Sequence, residues 1–301
     1  MDEKQKRELR IAELEVAMNA ADFWTDSAKA QAQIKELQQL KAQVQGGSVY
    51  DSGNAIMTIF SGAGGDDAED FSAMLFSMYR KYFEKKGWSS TLLDVNENDH
   101  GGFRNITVEI SGKNPSPGRA GVYGTLKNES GVHRLVRISP FNAKKLRHTS
   151  FSMVEVIPKF DKAHESDMVI SDKDLEISIA RSGGPGGQNV NKRETAVRIL
   201  HVPSRLSVHV TSERSQAQNR EKAIEILRGK LYKLQEDERK AREKGMYVSK
   251  TTSIEWGSQI RSYVLHPYKM VKDHRTDFET SQVDKVLEGE LDEFIEAEKN
   301  L

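Results

Sequence analysis

The residues Arg181-Ser-Gly-Gly-Pro-Gly186-Gly187-Gln188-Asn-Val-Asn-Lys192 have types and spacing that could do chemistry. Lacking Cβ atoms, glycines let the main chain adopt angles closed to other residues and approach a ligand closely, phosphate being the usual one. A phosphate-cradling P-loop needs Gly-Lys-Ser/Thr where this chain has Gly187-Gln188-Asn189, and a dinucleotide fingerprint fails because Asn189 takes the last glycine's place. A flexible surface hairpin is the plain reading of the loop taken alone. Classical hydrolase sites do not compete: there is no Gly-x-Ser-x-Gly elbow and no His-Glu-x-x-His motif among the 8 histidines. With no cysteine, thiol nucleophiles, disulfides and Cys-bearing zinc sites are excluded together. No metal and no cofactor is expected.

The whole string, followed by Glu194-Thr-Ala-Val-Arg-Ile199, resembles the Gly-Gly-Gln loop of class I translation release factors and of the related ribosome-rescue hydrolases. The resemblance implies that the loop enters the ribosomal peptidyl transferase centre and triggers hydrolysis of the ester joining peptide to transfer RNA. Gly186 and Gly187 would then let main chain approach RNA, and the Gln188 backbone N–H would face the oxyanion that forms as water attacks. The Gln188 side chain has no useful pKa at neutrality, so it can position water and exclude larger nucleophiles but cannot act as a general base. The family's glutamine is commonly N5-methylated, so Gln188 is also the expected modification site and a glutamine methyltransferase an expected partner. Arg181, Lys192 and Arg193 flank the loop as candidate contacts to RNA phosphates, with ordinary surface solvation as the alternative.

A second segment separates a codon-reading factor from a rescue factor, which needs only the catalytic unit. Gly131-Val-His-Arg-Leu-Val-Arg-Ile-Ser139-Pro140-Phe141, with His148-Thr149-Ser150-Phe151 after it, is similar to the decoding region of the factor 2 branch of bacterial release factors. The likeness implies reading of UAA and UGA. A serine hydroxyl can donate to guanine O6 or accept from adenine N6, so Ser139 suits either purine, while Pro140 stiffens the turn and Phe141 is expected to pack beneath it. By resemblance, His148 stacks on unstacked bases, Thr149 meets the third base, and Gly64-Gly65-Asp66-Asp67 opens a helix whose free N–H groups read the first. Asp67 stands where the family usually has Glu. The likeness runs on through Ile254 to Leu265 and Val271 to Thr276. It makes 246–257 a switch loop, in which Trp256 is either a ribosome contact or a core residue. Residues 1–50 resemble only part of the family's N-terminal helical domain, around Asp22-Phe-Trp24, which leaves the recycling GTPase an open partner.

Charge and periodicity say what must hold these loops. The 45 basic and 45 acidic side chains cancel overall, yet 181–250 carries sixteen Lys+Arg against eight Asp+Glu, and 275–301 carries nine acidic residues against three basic. Segregated signs suit a protein that touches nucleic acid on selected faces, although solvated helix faces explain most charge runs. No apolar run approaches a membrane span and no secretion signal opens the chain, so a cytoplasmic monomer without membrane contact is expected, with the ribosome, a messenger stop codon and peptidyl-tRNA as partners. The spacing predicts helices to about Val44, from Asp66 through Tyr82, from Ile224 to Lys244, and a final one from Val283 to Ile295. Strands are expected at Asn54–Phe60, Thr91–Val95, Asn105–Ile110, Phe151–Ile157, Leu175–Ile179, Ala196–Val202 and Leu206–Thr211. The expected architecture is α+β and multidomain. Residues 1–50 are a shortened helical hairpin, 51–162 a mixed-sheet decoding superdomain completed by 258–301, and 163–250 an α/β catalytic domain.

Overall fold

β1 (Ala55–Ser61) is buried on both sides, and its alternation sends side chains into two different cores. In the computed structural model, which describes residues 3–18, 30, 33, 37, 49–112, 120–160, 170–180, 195–243 and 258–301, this strand is central to an eight-stranded sheet. The other members are β2 (Ser89–Glu97), β3 (Phe103–Ser111), β4 (Gly131–Ile138), β5 (Arg147–Pro158), β9 (Gln259–Val264), β10 (Met270–Asp273) and β11 (Glu279–Thr280). Their order is β11-β10-β9-β4-β5-β1-β3-β2, antiparallel throughout except for the parallel pair β4 and β9. A separate antiparallel sheet joins β6 (Leu175–Ala180), β7 (Ala196–His201) and β8 (Leu206–Val210).

The helices are α1 (Glu3–Met18), α2 (Asp66–Lys86), α3 (Val122–Leu126), α4 (Gln216–Glu243), α5 (Val283–Leu287) and α6 (Asp292–Ala297). α2 buries Phe71, Leu75, Met78, Tyr79, Tyr82 and Phe83 against Met57 and Ile59 of β1 and Ile106 and Val108 of β3. That is the helical repeat of three and four residues, closed by Gly87 in the left-handed conformation, with acidic residues in the first turn and Lys85 and Lys86 in the last complementing the helix dipole. The opposite face of the sheet contributes Ile56, Leu93 and Ile157 to a second core with Val197, Ile199, Val208 and Val210 of the small sheet and Ala223, Ile226 and Leu227 of α4.

Two differences from the sequence expectations have physical causes. The Gly131–Ile138 segment, read for its chemistry only, is a strand, and β9 to β11 were not foreseen. The final helix is two short ones, because the chain crosses the α2 backbone at Gly289, where φ is 83° and an added Cβ would stand 2.6 Å from the Tyr82 nitrogen. Of the N-terminal hairpin, α1 is described; Asp22, Phe23 and Trp24 lie outside the described residues.

β9 is drawn into the sheet by charge. Arg261, fully buried, makes two bonds to Glu129, at 2.9 and 2.7 Å, and also reaches Asp273 and Glu298. Arg275 bonds Asp273 at 2.7 Å and Glu298 at 2.6 Å, and so ties the end of the chain to the sheet. Burial pushes His133 down to about 4, so it stays neutral and adds no positive charge. Three carboxylates then face two guanidiniums, and one negative charge is surplus in a dry site. Burial, reinforced by neighbouring Glu129, pushes the Glu298 carboxyl up to about 8 despite its two arginine partners.

The folded state therefore holds a proton that the unfolded chain, with its carboxyl near 4.5, releases. Stability from this group is present below the unfolded value and is lost as pH rises toward about 8. Urea midpoints should fall between about pH 5 and about pH 8, and Glu298→Gln should flatten that slope. An unchanged slope in the variant would show that the proton sits elsewhere.

Candidate nucleic-acid interface

The start of α2 and the hairpin joining β4 to β5 enclose an open pocket of about 370 Å³, lined by Gly64, Asp66, Asp67, Ser139, Phe141, Asn142, Ala143 and His148. Gly64 turns the chain from β1 into α2 at φ 138°, with an added Cβ only 3.1 Å from Ser150, so this turn favours glycine. Gly65 follows as the N-cap without a side-chain cap, so the first N–H groups of the helix have no capping partner from it.

Register explains how the hairpin presents its residues. Arg137 lies opposite His148 and Val136 opposite Thr149, and Ser139 N donates to Leu146 O at 3.0 Å to close the loop. Successive strand residues point to opposite faces, so His148 shares the α2 side with Arg137 while Thr149, exposed, faces away. The geometry thus joins Ser139, His148 and the Gly64–Asp67 turn, and separates Thr149 from them.

Asp67, only 4% exposed, is the hub. Its Oδ2 accepts from Ser139 Oγ at 2.7 Å and His148 Nδ1 at 2.8 Å, and its Oδ1 accepts from Arg137 Nη2 at 3.3 Å. Arg137 also pairs with Asp70 at 2.6 Å. Burial alone would raise the Asp67 carboxyl; the bonds from Ser139, His148 and Arg137 outweigh it and hold the group below the usual carboxylate range. An ionised hub accepts from all three donors at once.

Ser139 is 2% exposed, and its hydroxyl donates to Asp67 while accepting from Phe141 N at 3.2 Å. One lone pair is left. Pro140 is exposed at the turn. Phe141 does not pack beneath the loop: it is 41% exposed, with its ring 5.9 Å from His100 at the tip of the β2–β3 hairpin. The space beneath holds Asp67, Arg137 and Ser139, and a phenyl ring there would strand their polar groups.

Sequence reasoning missed Arg137, Asp70, Asn142 and His100. Arg137 was within reach: once Gly131–Ile138 is a strand, period two puts it on the face of Ser139. Gly186, Gly187 and Gln188, with Arg181, Lys192, Arg193 and Trp256, lie outside the described residues. What is described is the base of that loop, where Ala180 pairs with Ala196 and the buried Asn219 side chain donates to Thr195 O at 2.8 Å. Among the described residues there is no cluster suited to a metal ion, and no helix is long and apolar enough to cross a membrane.

Comparison with known proteins bears on both loops. Residues 7–154 match the PCRF domain and residues 164–275 the RF-1 domain. Peptide chain release factor 2 of Petrotoga mobilis is 43% identical over 303 residues, covering 99% of this chain and 80% of that one. The chain belongs to the peptide chain release factor family. Peptide chain release factor 2 of Listeria monocytogenes is 46% identical over 248 residues, 82% of this chain and 65% of its own length. Among solved structures, RF2 of Thermus thermophilus superposes with a TM-score of 0.71 at 38% identity, over 97% of this chain and 80% of that one. The fold of this family member is accordingly a mixed α/β, multidomain one built around a large mixed sheet.

Proposed function

We propose that this chain terminates translation on the ribosome by reading UAA and UGA at the pocket and triggering hydrolysis of the peptidyl-tRNA ester at the Gly186-Gly187-Gln188 loop. The observation that carries the reading half is Asp67 binding Ser139 and His148, which come from segments 72 and 81 residues away, at the mouth of a pocket open to a base. Residues 51–162 with 258–301 form the reading unit, 163–250 the catalytic unit, and 246–257 the switch between them. Residues 1–50 are the helical N-terminal unit.

In the reading step, the turn at Gly64 and the start of α2 offer N–H groups to the first base. Ser139 meets the second, His148 stacks, and Thr149 contacts the third from the other face. Pro140 holds the turn, and Phe141 stands at the rim, where it can touch RNA. In the chemical step, water attacks the ester carbonyl, the carbon–oxygen bond to the tRNA ribose breaks, the departing ribose oxygen takes up the proton the water gives up, and the Gln188 N–H stabilises the transient oxyanion. No side chain of the loop takes the proton. Arg181, Lys192 and Arg193 bind ribosomal RNA phosphates, Trp256 contacts the ribosome from the switch, and Gln188 is the substrate of a methyltransferase. The protein is thus a trigger inside the ribosome rather than a free-standing enzyme. A codon-independent rescue role is not favoured, because the relatives are named peptide chain release factor 2.

Peptide release from ribosomes programmed with UAA, UGA, UAG or a sense codon tests this reading. Release is expected on UAA and UGA alone; UAG equal to UGA would refute the placement of Thr149 at the third base, and UGA as inert as the sense codon would refute the Ser139 argument. A finer result follows from the hydroxyl. Its free lone pair accepts from adenine N6 at no cost, whereas donating to guanine O6 requires its proton to leave an ionised carboxylate, a bond worth about 1.5–3 kcal/mol. Half-saturation should need more protein on UGA than on UAA, and equality would show that the Asp67 bond does not survive codon binding.

A further inference from the structure

Both ring nitrogens of His148 are held by groups whose hydrogen-bonding character is fixed. Lys144 N lies 2.8 Å from one amide atom of Asn142, and a backbone N–H can only donate, so that atom is the oxygen. The other amide atom, 3.0 Å from His148 Nε2, is therefore the NH₂ nitrogen, which has no lone pair to offer, and Nε2 meets it with its own. On the opposite side Nδ1 faces Asp67 Oδ2 at 2.8 Å, an ionised acceptor, so Nδ1 carries the hydrogen. The charged groups facing the ring are Asp66 and Asp67 at the start of α2 and Arg137 on β4, whose guanidinium is itself taken by Asp67 and Asp70. Lys144 and Lys145 are exposed on the loop.

We propose that Asn142 is a positioning residue that sets His148 in the Nδ1–H tautomer and makes it a stacking platform without a free hydrogen-bonding edge. This rests on the reading of the pocket as the codon site. With both nitrogens consumed in the ring plane, only the ring faces remain for a base, and the ring is 38% exposed to receive one. A free Nε2 would prefer one base edge over another, whereas every base has a face on which an aromatic ring can stack. A platform blind to base identity suits a position that must accept adenine and guanine alike, and it leaves discrimination to Ser139.

Asn142→Asp is nearly isosteric. It keeps an oxygen for Lys144 N and replaces the donor facing Nε2 by an acceptor, so a role confined to the turn would survive it. Imidazole ¹⁵N spectra of the full chain should show an unprotonated Nε2 in the native protein and a protonated one in the variant. The variant's half-saturating concentration for release on UAA and UGA should rise about tenfold over the native one, the value of one hydrogen bond. Asn142→Ser, which retains a turn acceptor but lacks the donor, should give mixed tautomers and a similarly raised half-saturating concentration. Identical nitrogen signals in native protein and Asn142→Asp would overturn the inference. Altered signals with codon-dependent release untouched would keep the tautomer assignment, but overturn the platform role and the placement of His148 at the codon.

Discussion

Gly186→Ala should abolish peptide release on stop-programmed ribosomes while leaving binding nearly intact. The proposed chemistry uses no titrating side chain, so rate must come from main-chain N–H groups aimed at developing charge, and such a donor is worth about 10²–10³ in rate. An added Cβ at Gly186 would restrict the main chain of that loop, whereas the pocket is lined by other segments of the chain. Gln188→Pro separates the donor from the side chain, since proline removes the N–H and Gln188→Ala does not. Release should fall by about 10² or more with proline and far less with alanine in a single-turnover assay. Equal damage would mean that the glutamine amide, rather than the backbone, does the work. Loss of binding in Gly186→Ala would mean that the loop is a docking element.

Asp67→Asn should uncouple reading from hydrolysis in the opposite sense. The native carboxylate accepts from Ser139, His148 and Arg137 at once; an amide with its oxygen in the Oδ2 position keeps the first two and turns a donor toward the Arg137 guanidinium. Losing the bond to Arg137 and the charge the other two donors meet, about 1.5–3 kcal/mol, should raise the half-saturating concentration on UAA and UGA roughly ten- to a hundredfold. Release at saturating protein should approach the native rate, because the catalytic loop is elsewhere in the chain. An unchanged half-saturation would show that Ser139 and His148 read without the hub.

Much of this was legible in the residues, for identifiable reasons. β1 and α2 announce themselves because one face of each is uniformly apolar, Met57 and Ile59 at period two and Phe71 to Phe83 at the helical repeat. β9 and β10 do not, because the buried face of each pairs one apolar residue, Tyr263 or Val271, with one charged residue. Arg261 and Asp273 lie in a strand pattern no hydrophobic period can detect, and the partner that stabilises Arg261, Glu129, is 132 residues away. The broken final helix has an apolar stripe from Val283 to Ile295 that looks continuous, yet Gly289 must pass against Tyr82. In the pocket, Ser139 and His148 were recognisable from local strings. The tie between them was not, since it runs through one buried carboxylate, and a sequence says nothing of which aspartate is dry. Phe141 was misjudged for the same reason: apolar residues usually fill the space under a turn, but here that space is already polar.

The central claim is that reading and hydrolysis are separate acts of one chain, and a paired measurement on the same UGA-programmed ribosomes tests it most directly. Codon-dependent binding and peptide release are followed together for Gly186→Ala and Ser139→Ala. A crossed pattern is expected: the first variant binds and does not release, whereas the second binds poorly and still releases when protein is in excess. Two variants that lose binding and release in the same proportion would contradict it.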